Sequence, residues 1–74
     1  MMKTGDLVEH INKESDSEYS HDKKYTIVNY NNVRMKDKTS GKWFDAVIYS
    51  EDGITLFVRE KEDFENEFKV SDNK

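Results

Sequence analysis

The aliphatic side chains of this 74-residue chain are mostly branched at Cβ. Six Val and four Ile stand against two Leu and one Ala. β-Branched side chains are restricted in χ1 on a helix and pack well on a pleated surface, so the imbalance predicts a β-rich fold. Nine aromatic residues (four Tyr, four Phe, one Trp) add bulk that can close a small core. Charged residues are 38% of the chain and the hydrophobic class 34%, so that core is small. A domain of this size buries only about 60% of its unfolded surface and is expected to lean on a partner or on self-association.

The same numbers exclude several classes. One domain spanning 1–74 is expected, with residues 1–5 and 71–74 frayed at its ends; a cofactor-binding catalytic domain of ordinary size does not fit. No Cys is present, which removes disulfides and thiolate metal sites and suits a cytoplasmic location. No apolar run reaches the roughly 18 residues of a membrane span.

Local patterning predicts the element order. Asp6–Ile11 alternates as a short strand, with Leu7, Glu9 and Ile11 on one side and Val8 and His10 on the other. Residues 12–24 are polar with one aromatic, Tyr19, and read as a long exposed loop. Tyr25–Tyr30 and Val33–Lys36 read as strand segments joined by a bend at Asn31-Asn32. Asp37–Lys42 is a hairpin turn leading to the most apolar strand, Trp43–Tyr49. Glu51-Asp52-Gly53 is a second turn before a strand over Ile54–Arg59. Phe64 and Phe68 lie four apart, the spacing of one face of a short helix, and a last strand begins near Val70. The order is that of an SH3-like small antiparallel β-barrel of about five strands with one short helix near the C-terminus. An open antiparallel sheet with a helix across one face is the alternative.

His21-Asp22-Lys23, Tyr25-Thr26-Ile27-Val28, Val47-Ile48-Tyr49 and Phe57-Val58-Arg59 with Phe64 resemble the pattern of an uncharacterised family of short bacterial and phage SH3-like domains. The chain departs from that pattern at Glu60, where the family has Pro, and at Lys24, where it has Gly. The resemblance implies the barrel but no activity. In style, a tiny chain rich in Lys, Asn and Asp is similar to early accessory proteins of T-even-like bacteriophages, which bind and redirect host factors.

No catalytic constellation is evident. Asp37-Lys38-Thr39-Ser40-Gly41 has the letters of an aspartyl-phosphate motif, but that chemistry needs a far larger domain. His10 and His21 alone make a poor metal site and read better as solvated or core-edge residues. The chain is therefore expected to be non-enzymatic, with no cofactor and no metal.

Charge is unevenly placed. Residues 33–42 hold Arg34, Lys36, Lys38 and Lys42 against Asp37, a local +3. Residues 51–67 hold seven carboxylates against Arg59 and Lys61, a local −5, and residues 9–22 a local −4. Trp43 borders the basic turn and Tyr19 sits alone in the long loop. Fold analogy places both beside the usual SH3-like binding groove. The expected partner-binding residues are Tyr19, Arg34, Lys36, Lys38, Lys42 and Trp43, acting on a protein partner. Nucleic acid is the less favoured partner, because the net charge of −4 opposes phosphate binding. A small-nucleotide sponge is a third reading, and no membrane role is expected.

Overall fold

The computed structural model describes residues 2–11 and 23–71. Tyr19 and His21 lie outside them. Among the described residues six strands and one helix run in the order β1 (Leu7–His10), β2 (Tyr25–Asn29), β3 (Arg34–Lys36), β4 (Trp43–Ser50), β5 (Phe57–Glu60), α1 (Lys61–Glu67) and β6 (Phe68–Val70). All pairings are antiparallel, and the fold is mainly β, as the residue composition predicts.

β4 organises the sheet because it is long and apolar. One of its edges pairs with both β2 (Ile27 opposite Tyr49) and β3 (Arg34 opposite Asp45), while its other edge takes β5 (Val47 opposite Arg59). β1 joins β2 through Val8 opposite Tyr25 and joins β6 through Val8 opposite Val70. Read across the sheet, the order is β6–β1–β2–β4–β5, with β3 continuing β2 after a bend. Two local features make that bend. The β2–β4 register slips between Ile27 and Asn29, as a bulge does, and Asn32 takes φ 64°, a left-handed conformation that Asn tolerates.

The core lies on one face of the sheet, formed by Val8, Tyr25, Ile27, Val47, Tyr49, Phe64 and Phe68. The Phe64 and Phe68 rings stack with centroids 4.5 Å apart. The sequence spacing places both on one helix, but α1 ends at Glu67 and Phe68 is the first residue of β6. Phe68 has extended backbone, yet its N–H still donates to Phe64 O, so the chain changes period without moving the second ring out of the core. A seven-residue helix has no stability of its own in water. It is held by Phe64 and by Tyr30, whose hydroxyl donates to Glu65 and whose ring lies 4.1 Å from Lys61 Nζ.

One further sequence expectation is corrected. The strand expected at Ile54–Arg59 is shorter and later, Phe57–Glu60, because side chains capture the preceding backbone. Asp52 Oδ1 accepts N–H bonds from Ile54 (2.8 Å) and Thr55 (2.9 Å). Ser50 Oγ accepts from Gly53 N–H and donates to Thr55 O. Ahead of β1 the chain lies against the sheet: Gly5 N–H donates to Ile27 O (2.8 Å) and Thr4 Oγ1 accepts Tyr30 N–H (2.9 Å).

Candidate functional site: a basic hairpin with an exposed tryptophan

The β3–β4 hairpin is built around Asp37. Its carboxylate accepts the Thr39 N–H (3.0 Å) and the Ser40 hydroxyl (2.8 Å), while its backbone carbonyl accepts the Gly41 N–H (2.7 Å). Gly41 has φ 75°, which an L side chain adopts only under strain, so the turn needs Gly there. The Ser40 hydroxyl and then the Thr39 amide, both donating to it, hold the Asp37 carboxyl below its ordinary pKa.

The register then sets which side chains share a face. Lys36 lies opposite Trp43, and Arg34 opposite Asp45. Lys36 Nζ sits 5.8 Å from the Trp43 ring centroid, within reach of a cation–π contact. Arg34 Nε is 3.8 Å from Asp45 Oδ1, an exposed pair of small energetic weight. Trp43 is 59% exposed, although it is the first residue of the strand that fills the core. Alternation puts Trp43 and Asp45 on the same face as Val47 and Tyr49, but the core covers only the C-terminal half of β4. Met35 and Phe44 pair on the opposite face of the hairpin.

Four of the six sequence-nominated residues are thus arranged together. Arg34, Lys36 and Trp43 share one face, and Lys42 sits next to Trp43 at the end of the turn. Lys38 is exposed within the turn itself. Tyr19 lies outside the described residues, so its position relative to Trp43 is not described.

A concavity of about 260 Å³ on another part of the sheet escaped the sequence reading. It is lined by His10, Lys23, Tyr25, Tyr49, Phe57 and Arg59, drawn from β1, β2, β4 and β5 and from a position two residues before β2. Its charges are largely satisfied within the protein. Arg59 reaches Glu67 at 2.5 Å and the Tyr49 hydroxyl at 3.2 Å, and Lys23 pairs with Glu51 at 3.7 Å. His10 lies 4.1 Å from the Phe68 ring, and burial, then the Arg59 charge, lowers its pKa against the smaller pull of Glu67. The lining residues are spread over 50 positions of sequence, so no local motif could have announced them. Among the described residues, no group of three or more His, Asp and Glu side chains is placed to hold a metal ion, and no helix is long and apolar enough to cross a membrane.

No protein-family model, no curated protein and no solved structure matches the chain.

Proposed function

We propose that the protein is a non-enzymatic binding module on an SH3-like small β-barrel, and that its β3–β4 hairpin engages an acidic surface of a partner protein. The observation that carries the reading is Trp43, 59% exposed on a hairpin that also displays Arg34, Lys36, Lys38 and Lys42. A large aromatic left in water beside cations forgoes burial that folding could have supplied. Trp and Arg are the residues most enriched at the energetic centres of interfaces. The strand order β6–β1–β2–β4–β5, with the short helix before the last strand, supports the barrel, since it is the order an SH3-like fold requires. The likeness in style to phage accessory proteins supports a host factor as the partner.

The test is capture from bacterial lysate on immobilised wild type, Trp43→Ala and Lys36→Glu. A protein retained by wild type and lost from both variants is the expected result. Equal recovery on all three would remove the hairpin from the reading. The basic turn also favours nucleic acid as a rival. A mobility shift at low salt that Lys36→Glu abolishes would favour that rival, and no shift would eliminate it.

A further inference from the structure

β5 lies at one side of the sheet, and among the described residues it pairs with β4 alone. The register on β4 sets the hydrogen-bonding phase of its outer edge. Ala46 N–H donates to Val33 O (2.9 Å), so Ala46 and Ile48 turn their peptide groups towards β2 and β3. Strand groups alternate, so Val47 and Tyr49 turn theirs towards β5 and bond to Arg59 and Phe57. The N–H and C=O of Val58 therefore point away from the sheet.

Such an edge is usually blunted by Lys, Pro or a bulge. Residues 53–58 contain no charge and no Pro, and Leu56 (55%), Phe57 (40%) and Val58 (53%) are exposed. Acidic side chains stand at both ends: Glu51 and Asp52 before the strand, and Glu60, Glu62 and Asp63 after it. Three cations lie nearby: Arg59 is turned to Glu67 and Lys61 to the Tyr30 ring, while Lys23 pairs with Glu51 at 3.7 Å, so Asp52, Glu60, Glu62 and Asp63 carry most of the acidic character.

We propose that the β5 edge takes an extended segment of a partner protein as an added strand, and that this segment is apolar at its centre with Lys or Arg at both ends. The main chain of Val58 supplies the pairing, and the acidic ends supply the choice of partner. Charge complementarity also selects against a second copy of this chain. A two-fold antiparallel pairing centred on Val58 sets Leu56 against Glu60 of the other copy. It also brings the acidic 51–52 turn of each copy towards the acidic start of the other's α1. The surface is separate from the basic hairpin and of opposite charge, so the two can fail independently.

The probe is an acetylated peptide, Lys-Lys-Val-Thr-Val-Thr-Val-Lys-Lys, with a twin carrying Glu in place of every Lys. The basic peptide is expected to bind the full chain at low salt, to slow Val58 amide exchange at least about tenfold, and to weaken as salt rises. The acidic twin should not bind. Val58→Pro should abolish binding, and Trp43→Ala should leave it unchanged. Because Val58→Pro can fail to fold, Glu62→Lys with Asp63→Lys is the second variant; it leaves the strand intact and should weaken binding about tenfold. Equal binding of both peptides, indifference to the Glu62 and Asp63 reversals, protection that maps away from β5, or no binding would overturn the proposal. A Val58-dependent dimer in sedimentation would overturn it in favour of a second copy.

Discussion

Asp52 organises the β4–β5 turn through a single carboxylate oxygen, which accepts the Ile54 and Thr55 N–H groups. The Thr55 and Ile54 amides hold its pKa below the ordinary carboxylate value of 3.8. A carboxyl whose folded pKa is depressed stabilises the fold above its unfolded pKa and loses that contribution as pH falls through the folded value. Asp52→Ala is therefore expected to melt below wild type at pH 7, with the gap narrowing below about pH 4. Thermal melts across pH check this; a constant gap would show that the carboxylate charge is irrelevant to the turn. His10 titrates in a higher window with the same sign. Its lowered pKa means that the unfolded chain binds the proton better, so stability declines as pH falls from the ordinary histidine value of 6.5. In a His10→Phe variant the decline of Tm on acidification below about pH 6.5 should be reduced, and an unchanged slope would assign that acid sensitivity elsewhere.

At the scale of elements, the outcome turns on α1. It carries Glu62 and Asp63 in its first turn, which suits the helix dipole, but no side-chain N-cap and no basic residue in its last turn. Only docking explains its formation, so the stability of β6 and the helix should be lost together when Phe64 is cut back. Phe64→Ala removes a fully buried ring. The expected cost is about 3–5 kcal/mol, set against a total stability of roughly 4–11 kcal/mol for a chain of this length. Urea denaturation should show a large drop in midpoint, and a loss under about 1 kcal/mol would mean that the helix is not packed as described. The elements most legible in the sequence were those set by backbone chemistry close at hand: the Asp37–Lys42 turn, the Asn32 bend and the apolar run of β4. Those read imperfectly were decided by partners distant in sequence or by side chains competing for the backbone. Ile54 and Thr55 have strand propensity, but Ser50 and Asp52 claim their neighbourhood first. Phe68 keeps helical spacing from Phe64 because both rings must reach one core, although only one of them is helical. The concavity between His10 and Arg59 was illegible for the same reason, since it exists only where four strands meet.

At the scale of the whole molecule, the core and the basic hairpin are separated along β4. The buried rings gather at Val47–Ser50, where β2, β1, β6 and α1 converge, while Trp43 sits at the other end of the same strand. The net charge of −4 conceals this division, because the +3 hairpin and the −5 stretch over 51–67 lie on different parts of the chain. The division has a spectroscopic consequence. Trp43 is the single Trp, and at 59% exposure its indole already meets water in the folded state. Its emission should therefore sit close to that of the denatured chain and change little on melting, while far-UV circular dichroism, reporting the strands, shows a cooperative transition. The core's own reporters are Tyr25 and Tyr49, whose ring centroids are 5.4 Å apart in an edge-on pair; their near-UV signal should vanish with the far-UV transition. Native emission characteristic of a buried indole would contradict both the exposure of Trp43 and its nomination as a recognition residue. On binding an acidic protein surface the same indole is expected to shift to the blue and to lose access to acrylamide. With Lys36→Glu, neither change should appear. Surface charges are screened over about 8 Å at physiological salt, so the response in wild type should weaken as ionic strength rises. A response indifferent to both salt and Lys36 would mean that the hairpin recognises its partner by apolar contact alone.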